Sequence, residues 1–198
     1  MTEQVMLIGR RMPEFVAEAV IDGEITTVNS LEYLGSYTLL FFYPADFSIV
    51  CPTELHALQE RMGEFKARNT RVITVSTDSV YAHQAWRKVP RDEGGILGTN
   101  LSMISDIRKK ISRAFNVYDE KSGDCLRGVF LMDKEGKIQY GAIDNYWVGR
   151  SIDEVLRMVD AIQYTMKHIE LCPANWKPGK PTMKPNEISK LSFYQRFA

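Results

Sequence analysis

The stretch of the chain that most constrains its fold is FFYPADFSIVCPTE, at residues 41–54. It begins inside a short continuous apolar run, residues 38–43, which is typical of a buried strand. The proline directly after Cys51 suits the first turn of a helix, where a missing backbone N–H costs nothing. The pattern therefore predicts that a buried strand ends here and that a helix starts at or beside Cys51.

Alternating strand and helix patterns continue along the chain. The apolar side chains of residues 51–69 recur with helical spacing on one face of a single predicted helix; they are Leu55, Leu58, Met62 and Phe65. Further strands are predicted at 71–76, 127–133 and 138–143, the last two as a hairpin, and further helices at 79–88, 105–115 and 151–169. Together these elements predict an α/β fold, with a central mixed sheet flanked by helices.

Composition narrows the class of protein. The 198 residues are 44% hydrophobic, which is enough for one well-filled core. Lys and Arg total 25, as do Asp and Glu, and this neutrality argues against a nucleic-acid or membrane-surface protein. The chain starts with an acid at Glu3 and only a short apolar run, so we expect no secretory segment and a cytoplasmic location. Three cysteines there favour reactive or buried thiols over a disulfide scaffold.

The C-terminal part has a different character. Residues 172–187 are rich in Pro, Gly and Lys and show no sustained period, which predicts an extended arm. Residues 191–198 are expected to form a short terminal helix. We therefore expect a main domain over residues 1–170 and a C-terminal arm over residues 171–198.

Two interpretations of Cys51 remain open from its local sequence. The first backbone N–H groups of a helix favour an anion, so a thiol at this place is expected to be largely thiolate and nucleophilic. Pro44 and Pro52 would stiffen the turn on either side, and Ser48 can offer a hydroxyl hydrogen bond. Alternatively, Cys51 is a buried and inert cysteine that packs as a small apolar residue.

A family resemblance bears on this choice. PADFSIVCPTE resembles P-x-x-x-[ST]-x-x-C, the active-site signature of the peroxiredoxins, and the longer FFYPADFSIVCPTE is similar to their typical two-cysteine branch. The similarity continues, in order, through VSTDSVYAHQAW, LRGVFLMDKEGKI, NYWVGRSIDEVLRMVDAIQ and CPANWKPG. It covers nearly the whole chain, and it implies a thioredoxin-like fold and a thiol-dependent peroxidase.

The resemblance also implies roles for individual residues. Cys51 matches the peroxidatic nucleophile, whose thiolate attacks a peroxide and becomes a sulfenic acid. Pro44, Ser48 and Arg127 match the residues that, together with the cysteine, are credited with stabilising the charge that moves onto the leaving oxygen. Glu54 would orient Arg127, although an acid in the first helical turn is also favourable for the helix dipole alone.

Cys172 matches the resolving cysteine, which attacks the sulfenic acid of a neighbouring subunit and forms an intersubunit disulfide. The expected partners are a peroxide, thioredoxin or a dedicated disulfide reductase as electron donor, and a second copy in a homodimer that assembles into a ring, a decamer. No haem, flavin or metal is expected. A ring-forming chaperone or redox scaffold is the alternative, as a secondary role.

The other cysteine and the histidines receive no catalytic role. Cys125 is expected to be a packing residue, and His83 a structural hydrogen-bonding residue. The histidines show no metal-ligand spacing with the cysteines. A dithiol oxidoreductase would need a C-x-x-C pair, and a cysteine hydrolase would need a recognisable histidine base, and the sequence offers neither.

Overall fold

The computed structural model describes residues 6–197, with the side chain of Phe197 left out. The acid at Glu3 and the last residue of the predicted terminal helix, Ala198, lie outside the described residues. The chain divides into two compact units, Met1–Ile152 and Asp153–Ala198. The division into a domain of residues 1–170 and an arm of residues 171–198 stays a prediction.

Seven strands in the described residues form one mixed sheet, and they are β1 (Val16–Ile21), β2 (Glu24–Asn29), β3 (Tyr37–Phe42), β4 (Thr70–Ser76), β5 (Ser102–Ser105), β6 (Arg127–Met132) and β7 (Ile138–Asp144). Their order across the sheet is β2-β1-β5-β4-β3-β6-β7. β4 is parallel to both β3 and β5, whereas the other neighbouring pairs are antiparallel. The predicted mixed sheet is confirmed.

The helices of the described residues are α1 (Cys51–Glu60), α2 (Met62–Ala67), α3 (Val80–Trp86), α4 (Lys110–Ala114), α5 (Ile152–His168) and α6 (Glu187–Phe197). The single helix predicted over residues 51–69 is interrupted at Arg61, whose N–H bonds to the carbonyl of Leu58, only three residues back. Within residues 6–197, no helix combines the length and the apolar character needed to cross a membrane.

The sheet contains strands that the sequence patterns did not predict. β1 and β2 form a hairpin around Asp22 and Gly23, which both have positive φ, 51° and 90°. Two such residues in succession form the tight turn that matches the twist of a hairpin, and Asp-Gly is a preferred pair for it.

The helix predicted over residues 105–115 is shorter than expected. Its first residue, Ser105, is the end of β5, and α4 begins only at Lys110. Lys109 has φ 56°, which no right-handed helix accommodates. The carboxylate of Asp106 instead accepts hydrogen bonds from the backbone N–H groups of Ile111 and Ser112, at 3.1 and 2.7 Å. The turn before α4 therefore replaces the predicted first half of the helix.

A cluster of aromatic rings fixes β3 and β6 beside each other in the core. The ring centroids of Phe42, Phe115 and Phe130 lie 4.9 to 5.8 Å apart, a distance at which aromatic rings attract. The antiparallel register pairs Phe41 with Val129. The end of β3, from which the chain continues to Cys51, therefore lies next to the start of β6.

Candidate active site

Cys51 is the first residue of α1, and its side chain is completely buried. The loop of residues 43–50 carries the chain from the end of β3 to this helix. Pro52 lies in the first turn, as the sequence pattern predicted. Because the first N–H groups of a helix lack partners within it and favour negative charge, the fold places the sulfur where an anion is stabilised.

Arg127, the first residue of β6, reaches the sulfur of Cys51. Its guanidinium nitrogen Nη1 lies 3.4 Å from Sγ, and the arginine is only 1% exposed. A second nitrogen, Nε, donates to the backbone carbonyl of Tyr146 at 2.8 Å, which fixes the plane of the guanidinium. The sequence resemblance placed Arg127 at the site, and the β3–β6 register explains how a residue so distant in sequence comes to lie there.

Glu54, one turn into α1, is the carboxylate that holds this arginine. Its Oε2 atom accepts a hydrogen bond from Arg127 Nη1 at 2.7 Å, and both side chains are buried. Burial alone would raise the pKa of Glu54, but hydrogen bonds and charge from Arg150, and then the charge of Arg127, hold it below its ordinary value. The contact agrees with the expected orienting role of Glu54.

Arg150 is a second buried arginine at this place, and the sequence interpretation had not singled it out. Its backbone N–H and its Nε both donate to Glu54 Oε1 at 2.8 Å, and its Nη2 donates to Oε2 at 3.0 Å. Its Nη1 donates to the carbonyls of Phe42 and Gly128, both at 2.7 Å. The side chain thereby joins α1 to the ends of β3 and β6, a role that only the tertiary structure reveals.

Pro44 and Ser48 both lie in the loop that precedes Cys51. Pro44 is buried and Ser48 is half-buried. The hydroxyl of Ser48 donates to the carbonyl of Ala45 at 2.8 Å, which closes the loop on itself and leaves the hydroxyl oxygen to accept a hydrogen bond. Their assignment to the reaction stays a prediction.

A buried polar group anchors the same loop. Asp46 receives hydrogen bonds from the Tyr43 hydroxyl at 2.7 Å and from His83 Nδ1 at 2.7 Å. The other ring nitrogen of His83 lies 3.3 Å from the carbonyl of Ile104, and the backbone N–H of Asp46 donates to Asp78 at 2.9 Å. Since His83 is fully buried and hydrogen-bonded on both sides, the prediction that it is structural is confirmed.

The glycine-containing segment of residues 94–100 lies along α1. His56 Nε2 is 3.0 Å from the carbonyl of Gly95, and Gln59 accepts from the backbone N–H of Asn100 at 2.7 Å. A Cβ atom at Gly95 would come within 2.0 Å of the carbonyl oxygen of Val89, so only glycine fits there. Two hydrogen bonds therefore tie the later turns of α1 to this segment.

Cys172 lies in the second unit, four residues after the end of α5. It is half-buried, its Sγ lies 3.9 Å from the carbonyl of Ala161, and it is a free thiol in this structure. Burial raises the pKa of Cys172, and the charge of Arg157 opposes that effect. Its role as the resolving cysteine stays a prediction.

Cys125 is a packing residue, as predicted. It is completely buried within the aromatic and aliphatic core cluster. Burial raises its pKa to about 12, so this thiol is protonated at neutral pH. Among the described residues, no group of three or more His, Cys, Asp or Glu side chains could hold a metal ion.

Comparisons with known proteins cover both units of the chain. The AhpC/TSA family matches residues 8–141, and the C-terminal domain of 1-Cys peroxiredoxin matches residues 161–190. The "Thioredoxin peroxidase" of Echinococcus granulosus is 46% identical, over 94% of this chain and 97% of its own. The chloroplastic "2-Cys peroxiredoxin BAS1" of Spinacia oleracea is 47% identical, over 96% of this chain and 73% of its own.

A solved structure agrees with the fold as well. The reduced 2-Cys peroxiredoxin of Plasmodium vivax superposes with a TM-score of 0.94 at 40% sequence identity, covering 96% of this chain and all of that one. The likeness thus extends over the site of Cys51 and the segment that carries Cys172. The chain belongs to the AhpC/TSA family, within its two-cysteine peroxiredoxin branch.

Proposed function

We propose that this chain is a thiol-dependent peroxidase, with Cys51 as the nucleophile that reduces hydrogen peroxide and organic hydroperoxides. One observation carries the assignment: a fully buried guanidinium nitrogen of Arg127 lies 3.4 Å from the Cys51 sulfur. Glu54 compensates the burial of this guanidinium, but a cysteine that only fills space would not require the charged donor to lie beside its sulfur. The relatives, by their printed names, include peroxiredoxins and a thioredoxin peroxidase.

The first step is the attack of the Cys51 thiolate on one peroxide oxygen. A sulfur–oxygen bond forms, the O–O bond breaks, and the departing oxygen takes a proton to leave as an alcohol or water. Cys51 becomes a sulfenic acid. The remaining donors of Arg127, with Pro44 and Ser48 shaping the pocket, stabilise the charge that moves onto the leaving oxygen. Glu54 positions Arg127 for that task.

Cys172 completes the cycle in a second step. Its thiol attacks the Cys51 sulfenic acid of a partner subunit, so that the S–S bond forms, the S–O bond breaks and water leaves. An external dithiol protein of the thioredoxin type then reduces the disulfide. The arm of residues 171–198 serves as the segment that delivers this thiol.

The proposal also covers the oligomeric state of the protein and its location in the cell. The reaction between two subunits requires at least a homodimer, and the family resemblance supports a ring of dimers, a decamer. A cytoplasmic location is a separate part of the proposal and does not rest on the resemblance. A secondary role as a chaperone or redox scaffold is not favoured, since the relatives' printed names describe peroxiredoxins and peroxidases.

The test is peroxide consumption by the purified protein. Hydrogen peroxide and an alkyl hydroperoxide are supplied in turn, with either thioredoxin and its reductase or a small dithiol as electron donor. Wild type should turn over with both peroxides, and Cys51→Ser should consume neither above background. Cys172→Ser serves as the matched control, because it should still undergo one oxidation of Cys51. Substantial turnover by Cys51→Ser would overturn the assignment.

A further inference from the structure

Cys172 lies at the closed end of a loop. Leu171 and Met183 exchange two backbone hydrogen bonds, N–H to carbonyl at 2.7 and 3.0 Å, so residues 172–182 form a loop with paired ends. Cys172 is the first residue inside this pairing. We call the paired ends of this loop, Leu171 and Met183, the loop mouth. The position of Cys172 is therefore set more directly by the loop mouth than by residues in the middle of the loop.

Three side chains meet at this mouth, and we call Tyr164, Glu170 and Thr182 the mouth cluster. Glu170 precedes the pairing and Thr182 lies just inside its other end, while Tyr164 is on α5. The Thr182 hydroxyl and the Tyr164 hydroxyl, the latter at 3.1 Å, both donate to Glu170 Oε2. These hydrogen bonds, that of Thr182 first, lower the pKa of Glu170, which is therefore an ionised acceptor at neutral pH.

Tyr164 also contacts the interior of the loop. Its ring centroid lies 4.9 Å from that of Trp176, which is only 2% exposed. The indole N–H of Trp176 donates to the carbonyl of Lys180 at 2.9 Å, and its own carbonyl accepts from Arg157 at 3.2 Å. One side chain of α5 therefore holds the loop twice, through its hydroxyl at the mouth and through its ring at Trp176.

We propose that the mouth cluster consists of positioning residues that keep Cys172 stored against α5, and that the cluster must open before Cys172 can reach a sulfenic acid. The stored position is the half-buried one, with Sγ 3.9 Å from the Ala161 carbonyl. A disulfide brings two sulfurs within roughly 2 Å of each other, and we infer that the partly covered sulfur must leave this position to do so. This inference rests on the resolving role of Cys172 in the proposed function.

The strength of the cluster sets how often the thiol is released. Loss of one hydrogen bond from this cluster should raise the open population about two- to tenfold. Tyr164→Phe removes one hydroxyl and keeps the ring contact with Trp176. Thr182→Val removes the other hydroxyl at constant shape, and Thr182→Ser keeps it.

The decisive measurement is the alkylation rate of Cys172 by iodoacetamide in the reduced protein, resolved by peptide mass spectrometry. Tyr164→Phe and Thr182→Val should each raise that rate about two- to tenfold, whereas Thr182→Ser should match wild type. Thr165→Val is the matched control, because its hydroxyl lies on α5 but donates to the Ile162 carbonyl, at 3.0 Å. It should leave the Cys172 rate unchanged.

Buried Cys125 reports on global unfolding in the same samples. An unchanged Cys172 rate in both Tyr164→Phe and Thr182→Val would overturn the proposal, and so would an equal rise at Cys125. Since alkylation uses no peroxide, this result does not depend on whether Cys51 is the peroxidase nucleophile.

A single addition of peroxide then tests the link to the cycle. The oxidation of Cys51 should proceed at the wild-type rate in Tyr164→Phe, while disulfide formation becomes faster by the factor seen in alkylation. Faster alkylation without faster disulfide formation would show that release of Cys172 does not limit the second step, and would overturn that part of the inference.

Discussion

The two thiols that the proposed cycle joins differ in what surrounds them: one lies in a buried network of charged groups and the other on a partly exposed loop. The Cys51 sulfur is fully buried beside an ion network in which Glu54 binds two arginines, each also hydrogen-bonded to at least one backbone carbonyl. The Cys172 sulfur is half-buried on a loop held by hydroxyl groups and one indole. Moving the first disrupts charged groups that lack solvent, whereas moving the second breaks contacts that water can largely replace.

This difference predicts which substitutions should reduce the stability of the protein or the reaction rate the most. The reactivity of Cys51 should depend on the charges and geometry around it, and the accessibility of Cys172 should depend on how easily its loop opens. Each of the following variants changes one side of the contrast, in order of decreasing expected effect.

Glu54→Gln should have the largest effect, because it leaves two buried guanidinium groups without a carboxylate. We expect the free energy of unfolding at neutral pH to fall by about 3 to 5 kcal/mol, measured by chemical denaturation. The folded pKa of Glu54 lies below its ordinary 4.5, so its stabilisation is full above that value and is lost as pH falls through the lower pKa.

The variant should therefore lose less stability than wild type when the pH is lowered through that range. Glu60→Gln is a matched control, because Glu60 is an exposed acid on the same helix. An equal acid sensitivity of wild type and Glu54→Gln would show that the network contributes no net stability through Glu54.

Arg127→Ala should slow the reaction of Cys51 with peroxide by about 10²- to 10³-fold, the usual cost of losing one positioned charge-stabilising donor. Rapid mixing with intrinsic fluorescence measures this step without the later disulfide. Arg91→Ala removes an exposed arginine that pairs with Glu60, and should react like wild type. If Arg127→Ala reacts at the wild-type rate, the contact between Arg127 and Cys51 has only a structural role.

His56→Leu should have a moderate effect, because it leaves the buried carbonyl of Gly95 without its partner. We expect a loss of about 1 to 3 kcal/mol in the free energy of unfolding. His56→Gln places a side-chain N–H near the position of Nε2 and should recover most of that loss. If Leu and Gln destabilise the protein equally, the hydrogen bond to Gly95 is not what His56 contributes.

Cys172→Ser should have the smallest effect on the folded protein, a change in stability below about 0.5 kcal/mol, since the half-buried site accommodates a hydroxyl. The peroxide step should keep its wild-type rate. Oxidised wild type should run as a covalent dimer on a non-reducing gel, and this variant should not. A dimer that persists here and disappears in Cys125→Ser would identify Cys125 as the resolving cysteine.

Local patterns predicted the elements that lead to the site. The apolar run before Cys51 and Pro52 after it place a strand end and a helix start within a few residues, and the structure has both. The Asp22-Gly23 turn is an equally clear hairpin signal, but its strands are partly exposed and therefore lack a long continuous apolar run. The shortened α4 was harder to predict, since the carboxylate of Asp106 competes for backbone groups that a helix would use.

Arg150 shows the limit of local sequence. A lone arginine between a glycine and a serine is by default a solvated surface charge, and the only signal against this is that it lies in the family-like stretch NYWVGRSIDEVLRMVDAIQ. Its burial follows from three distant segments, which supply Glu54, Phe42 and Gly128 as its partners. The roles of Cys51, Cys172 and their neighbours came from the family resemblance, and they stay predictions until the variants are measured.

The ion network has a consequence for what oxidation does to the fold. Arg127 and Arg150 carry two positive charges and Glu54 one negative charge, so a Cys51 thiolate makes the buried set neutral. A sulfenic acid is uncharged at that sulfur, which leaves an excess positive charge in a site without solvent. The chemical step would thus weaken the attraction that holds the first turn of α1 in place. In the proposed cycle reduction restores that charge, so we expect the redox state of the Cys51 sulfur to set how firmly the first turn of α1 is held.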